Sequence, residues 1–467
     1  DRGMSNESNI QGNQNIVLQG VTDSTITVEV NGEATEIRNE LAELRRLLTE
    51  RQSSVFTVGH QPFNIEELSE EEFDFLTGRR AFNEWLTRRL IETLPPHSKP
   101  AGKLLKGAQQ RSPQWEKQRS ISDKAKDIIA YSYVGVLGIQ LRKLFAIGKE
   151  EDSEAKQRRY LQHVVLTTYR ALQLLNFALV SRLWDKQRAV PLNLSEEQQR
   201  ALHAFFHDAL ERDLSGELKL LRLLHQVFDN HQLEPPLSEL KNFGAQWQED
   251  STFSKACDAL QQSERRLDQR DFDKLSCYQA EQQLTTVLEQ LVFLANYRMV
   301  SIKSIVYDEM RNQAPRYLHS YAALGIDRKF NLNAERVKYA EGPVNTDAIL
   351  LYKGRYEESV NLFPFIIDVN ALTFEGGAKV CFYSSKDIAD SSLNFRFLED
   401  NQVENIVFHD TLKPGTDINE LMMDPERRKR FKLDQVYLQF QEAQATLLGE
   451  AAPEDDFGDL MEGETDF

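Results

Sequence analysis

IIAYSYVGVLGIQLRKLFAI at 128–147 and VVLTTYRALQLLNFALVSRLW at 164–184 are the two most apolar stretches of the chain. In the first, Ile128, Ile129, Val134, Leu137, Leu141, Leu144 and Phe145 recur at helical spacing; in the second, Val164, Val165, Ala171, Leu172, Leu175, Leu179 and Trp184 do the same. Both segments are apolar around more than one face, which places both at the centre of a helical bundle. Arg142 and Lys143 interrupt the first stretch, and Arg170 with Gln173 the second. The uninterrupted runs therefore fall short of the ~20 residues that cross a bilayer, and buried helices are the reading adopted. Asp123 is the candidate cap of the first helix, and Gly148 with Lys149–Asp152 ends it. Gly135 and Gly138 leave room for close approach of a neighbour.

Outward from this pair, the chain reads as helical from Asn64 to about Gln313. Asn64 and Ser69 are candidate caps, followed by Phe73, Leu76, Ala81, Trp85, Leu86 and Leu90 at helical spacing. Ser195-Glu196-Glu197-Gln198 has the form of a capping box and opens a helix to about Leu214. Further helices are expected at 216–230, 236–248 and 252–268. A long one is expected at 272–312, carrying Leu284, Val287, Leu288, Leu291, Leu294 and Met299.

After Pro315 the pattern changes. Segments 348–352, 362–367, 379–383, 395–397 and 405–408 are rich in β-branched and aromatic residues, punctuated by Gly354, Asn370, Gly376-Gly377 and Asp400-Asn401. Short connections favour an antiparallel or mixed sheet, with a helix from about Lys432 to Leu448 covering one face. The expected fold is mainly α with a C-terminal α+β domain: helices over 64–313 and the α+β unit over 316–448. Residues 51–63 read as a linker.

The N-terminal 1–52 differs again. Ile16-Val17-Leu18 and the alternating Thr25-Ile26-Thr27-Val28-Glu29-Val30, stopped by Asn31-Gly32, read as two short strands that need partners to be stable. Ile37, Leu41, Leu44 and Leu48 then form a short coiled-coil seam under two heptads long. Two readings fit: an oligomerisation segment using Ile26, Val28, Ile37, Leu41, Leu44 and Leu48, or one amphipathic helix on its own domain.

The stretch from Asn15 to Val28, followed by Asn31-Gly32 and the Leu41/Leu44/Leu48 helix, resembles N-terminal elements of bacterial conflict-system proteins. These belong to anti-phage and programmed-death operons that pair sensors, proteases and NTPases. The resemblance covers about a tenth of the chain. It implies an assembly or recruitment segment and a bacterial source; a homo-oligomer and a protease or NTPase partner from the same operon are expected with it. It transfers no catalytic residue.

Charge narrows the partners. The formal net charge is −17, and residues 449–467 hold eight acids and no Lys or Arg, so the remainder carries −17 − (−8) = −9. A negative body disfavours non-specific nucleic-acid binding. The acidic tail also holds Phe457, Leu460, Met461 and Phe467. It reads either as a solubilising end or as a docking peptide steered by its charge to a basic surface. Cys257, Cys277 and Cys381 are odd in number and lack C-x-x-C spacing, which fits reduced thiols and a cytoplasmic location.

Motifs for chemistry are sparse. There is no G-x-x-x-x-G-K-[ST], G-x-S-x-G, H-E-x-x-H or paired C-x-x-C. His203 and His207 stand at metal-ligand spacing, with Asp208, Glu211, His225 or His231 as possible completions, although an ordinary helix face is favoured. Asp368, Glu375 and Lys379 surround a hairpin in the manner of a metal-dependent nuclease, whose carboxylates hold Mg²⁺ near a phosphate, but the usual Glu-x-Lys spacing is missing. No cofactor is expected. The leading function is a non-enzymatic adaptor, sensor or regulated target in anti-phage defence. The alternatives are an effector nuclease in the C-terminal domain and an unrelated cytosolic scaffold.

Overall fold

The computed structural model describes residues 26–28, 55–58, 61–64, 69–76, 78–110, 119–207, 213–325, 335–340, 344–354, 358–387, 389–411, 413 and 416–450. Ile37, Leu41, Leu44 and Leu48 of the expected seam, Asp208 and Glu211, and Phe457, Leu460, Met461 and Phe467 of the tail lie outside the described residues.

The organising element is the 36-residue helix Glu154–Ala189, started by Ser153, whose Oγ accepts from Lys156 N at 3.1 Å. From Leu161 to Trp184 it is buried on almost every side, as its all-round apolar sequence requires. Helices Gly135–Gly148, Leu214–Asn230, Thr252–Gln269 and Lys274–Gln290 pack against it. Leu137 and Leu175 are both fully buried. Among the described residues this helix alone is long and apolar enough to cross a membrane, and 89% of its most apolar window is buried within the protein. The charges that interrupt its sequence serve packing. Arg170 donates through Nη1 to Gln173 Oε1 and through Nη2 to Asn401 Oδ1, both at 2.6 Å, and lies over the Phe382 ring.

Local signals hold at several starts. Ser195 N donates to Gln198 Oε1 at 2.9 Å and Gln198 N to Ser195 Oγ at 3.3 Å, a closed capping box. Ser69 and Glu72 form a second one. Asn64 ends a strand instead of capping a helix. The apolar stretch around 128–147 is two helices, Arg119–Ser132 and Gly135–Gly148, parted by Val134 at φ −51°, ψ 142°. Asp123 is therefore inside the first helix. The break brings Gly135 onto the end of a strand, where a Cβ would stand 1.8 Å from the Leu324 carbonyl oxygen. Only glycine fits that approach. The expected helix 236–248 is two 3₁₀ turns, Ser238–Asn242 and Gly244–Trp247.

The described residues form three sheets. Strands β1 (Ile26–Val28), β2 (Val55–Val58) and β3 (Gln61–Asn64) form the first, with β1 parallel to β2 and β3 antiparallel to it. The segment read as a linker thus supplies two strands. The second sheet has the order β6-β5-β4-β7-β8, from β4 (Arg298–Asp308), β5 (Arg316–Leu324), β6 (Glu335–Ala340), β7 (Ile349–Tyr352) and β8 (Val360–Asn361). The third has the order β12-β11-β10-β9, from β9 (Ile366–Asp368), β10 (Val380–Asp387), β11 (Ser392–Phe397) and β12 (Val403–Val407). Both C-terminal sheets are antiparallel throughout.

The expected helix 272–312 is corrected. Helix Lys274–Gln290 gives way to a 3₁₀ turn at Val292–Asn296 and then to β4. Leu291, Leu294 and Met299 mimic helical spacing, but Val300, Ile302, Ile305 and Val306 are β-branched and the buried backbone finds its partners across β5 and β7. The covering helix is Pro425–Leu448, longer at its start than read, with Asp424 capping Glu426 N and Arg427 N. It lies against β12 and the Glu154–Ala189 helix. One contiguous apolar core runs from Phe75 in the first helices to Leu447 in the last, joining helices and sheets.

Candidate functional site

Asp368 ends β9 and is fully buried. Its Oδ2 accepts from Ser301 Oγ at 2.6 Å and from Lys303 Nζ at 2.7 Å, both on β4. Its Oδ1 accepts from Asn370 N at 3.2 Å and Lys379 N at 2.8 Å. Four donors on two oxygens satisfy a buried carboxylate, and the charged one, Lys303, balances it. The group ties the second sheet to the third. Of the three nuclease candidates, Asp368 meets only the backbone of Lys379. The Lys379 ammonium instead pairs with Glu404 Oε2 at 2.7 Å, a bond that raises its pKa. Glu375 is exposed in the turn, where its N–H donates to the Asn370 carbonyl. The three side chains do not converge, and among the described residues no three His, Cys, Asp or Glu groups are placed to hold a metal. Ser301 and Lys303, the partners that give Asp368 its role, sit in the segment read as helix. The short alternation Val300-Ser301-Ile302-Lys303, followed by the β-branched Ile305 and Val306, is the signal that could find them.

His203 and His207 share one face of helix Glu196–His207, their rings stacked with centroids 4.2 Å apart. His207 Nε2 is 3.0 Å from Gln444 Nε2, whose amide oxygen accepts from the buried Lys386 at 3.0 Å. Burial, then His203 and Lys386, lowers the His207 pKa; burial lowers that of Lys386. Neither proposed histidine completion is nearby in role: His225 bonds Leu240 O and Asp229, and His231 bonds Asn193 O. His207, backed by the His203 ring, docks the final helix onto its neighbour. All three cysteines are buried and free, and burial pushes the Cys257 and Cys381 thiols up to about 12.

The most distinctive surface lies on the second sheet. A bulge at Lys303 shifts the β4–β5 register between Ile302 and Ser304. Up to the bulge, Met299 to Ile302 are buried; beyond it the hairpin leaves the core. Val306 opposes Leu318, and Ser320 opposes Val337 on β6. Val306, Tyr307, Met310 and Val337 are 54%, 57%, 61% and 60% exposed. Tyr307 and Tyr317 pack ring to ring at 5.6 Å. Among the described residues β6 pairs with β5 alone, so its outer edge is open to another strand. Ile26 and Val28 of the oligomerisation set lie on β1, paired within the chain to β2.

No family model, curated protein or solved structure matches the chain.

Proposed function

We propose that this protein is a non-enzymatic adaptor, sensor or regulated target in a bacterial anti-phage system, acting in the cytoplasm through protein contacts. The observation that carries the reading is the outer half of the β4–β5–β6 sheet, where Val306 and Val337 stand exposed on strands that leave the core and Met310 on the turn between β4 and β5. Exposed apolar side chains beside an open strand edge are the ordinary makings of an interface. The defence setting rests on the resemblance of residues 15–48, which also suggests a protease or NTPase from the same operon as partner and self-association through the N-terminal segment.

The test is direct binding between the full chain and the purified protease or NTPase encoded beside it. Val306→Asp with Val337→Asp should weaken it at least tenfold; equal affinity removes this face from the reading. Self-association is tested by light scattering, where the full chain should exceed its 53.9 kDa monomer mass and return to it without residues 1–52. A monomer at tens of micromolar sinks that part. The nuclease alternative predicts Mg²⁺- or Mn²⁺-dependent cleavage lost in Asp368→Asn; the commitment of that carboxylate to four internal donors speaks for a structural role.

A further inference from the structure

The start of the final helix reads Pro425-Glu426-Arg427-Arg428-Lys429-Arg430-Phe431-Lys432. Cations in the first turns oppose the helix dipole and weaken the helix unless anions offset them. Two are offset within the fold. Arg427 stands 3.6 Å from Glu420 and 3.8 Å from Asp424, and Lys432 pairs with Asp347 at 2.5 Å. Among the described residues no carboxylate pairs with Arg428, Lys429 or Arg430. Arg428 lies over the ring of Phe374, 4.1 Å from its centroid. Phe374 is itself 49% exposed, and Met422 and Met423, on the short helix leading into Asp424, are 45% and 85% exposed. Arg428 and Phe374 thus share one surface, while Lys429 and Arg430 follow at steps of about 100° round the same helix and Met422 and Met423 stand exposed just before its start.

We propose that the acidic tail of the same chain, residues 451–467, docks its distal end on this surface. Their sequence, AAPEDDFGDLMEGETDF, holds seven acids, no cation and the apolar Phe457, Leu460, Met461 and Phe467. Both halves of the chemistry match: carboxylates for Arg428, Lys429 and Arg430, and apolar groups for Phe374 and the methionines. The reach also fits. The helix of 24 residues is about 36 Å long. The tail leaves its far end at Glu450, whose N–H donates to Ala445 O. An extended chain covers at most about 3.4 Å per residue, so Met461, eleven residues on, reaches about 37 Å and Phe467 about 58 Å. Phe457 reaches only about 24 Å. The docked part is therefore Met461–Phe467, with Glu462, Glu464 and Asp466 against the cations. A tether of this length holds the segment at millimolar effective concentration, so a weak site is filled in cis. A partner with a stronger basic surface would release the tail and uncover the patch.

The three native thiols are buried, so introduced cysteines can be labelled selectively. Spin labels at Thr465→Cys and Glu375→Cys of the full chain, diluted in unlabelled protein, should give a short, narrow distance distribution. The triple reversal Arg428→Glu, Lys429→Glu, Arg430→Glu should abolish it while the variant keeps a cooperative thermal transition. If that variant unfolds, raising salt from about 50 mM to about 1 M on the unreversed chain should at least halve the short component, because exposed charges are then screened within ~3 Å. A broad distribution in the unreversed chain, a short component indifferent to both reversal and salt, or one seen only between singly labelled molecules would overturn the proposal. The last would make a second copy the occupant. No short component, together with reversal-sensitive binding of a single-stranded oligonucleotide, would assign the patch to phosphate and overturn it as well.

Discussion

Met299, Val300, Ser301 and Ile302 on β4 are buried, whereas Val306 and Tyr307 further along the same strand are open to solvent. The two halves share one hairpin and an unbroken antiparallel ladder apart from the bulge. What separates them is what lies behind the sheet. The inner half has the helical core on one side and Asp368 holding Ser301 and Lys303; among the described residues the outer half has no such backing. Strand formation and burial are thus separate outcomes: the β-branched residues of β4 satisfy the backbone pairing along its whole length, while the position of Lys303 decides where the core stops. A side chain that must bond a buried carboxylate is also the natural place for a bulge that re-aims the strand.

The largest effect expected from this contrast is at its anchor. Asp368→Ala leaves Lys303 with a buried charge and no counter-ion, and should cost about 3–5 kcal/mol in denaturant unfolding. A loss under about 1 kcal/mol would mean that the carboxylate does not hold the inner half. Next, Ile302→Ala should cost roughly 2–5 kcal/mol, as should Leu175→Ala in the central helix, since both are fully buried. Were Ile302→Ala no worse than a surface change, the boundary drawn at Lys303 would be in the wrong place.

Titration probes the buried side by another route. Burial against the central bundle lowers His163 to about 4, although its Nε2–H donates to the Gln140 carbonyl at 2.9 Å. A histidine whose folded pKa is depressed contributes its full stability above the unfolded value near 6.5 and loses it as pH falls toward 4. The unmodified protein should therefore lose on the order of 1–3 kcal/mol over that window relative to His163→Gln. Parallel pH profiles for the two proteins would refute it. The smallest effect belongs to the outer half: Val306→Ser with Val337→Ser should leave stability within about 0.5 kcal/mol, because neither side chain has a core to lose. A substantially greater loss would show that the projecting strands are covered.

Much of the helical part was legible because its signals are local. The Ser195 capping box needs only residues 195–198, and the all-round apolarity of 164–184 needs only its own helix. The strands from 348 onward were visible as β-branched runs between turn residues. β4 is not, because Leu291, Leu294 and Met299 extend the preceding helical period into it, and its pairing partners β5 and β7 both come later in the chain. The candidate site fared worse for the same reason. The sequence offers Asp368 only as a nuclease candidate, and what the residue does in the fold depends on Ser301 and Lys303, 67 and 65 positions away. The basic run 427–432 is plain in the chain, but which of its cations are already paired depends on Glu420, Asp424 and Asp347.

By itself, then, the sequence determined the mainly helical character, the buried central helix, C-terminal strands of an antiparallel or mixed sheet and an acidic tail carrying bulky apolar groups. These follow from periodicity, capping and composition, which act within one or two turns of chain. Tertiary structure alone decided that helices and sheets share one core, that Asp368 is a strut between two sheets, and that apolar side chains on β4 and β6 face solvent. Those outcomes rest on contacts between residues tens to hundreds of positions apart, where burial and charge pairing are properties of the neighbour and not of the residue.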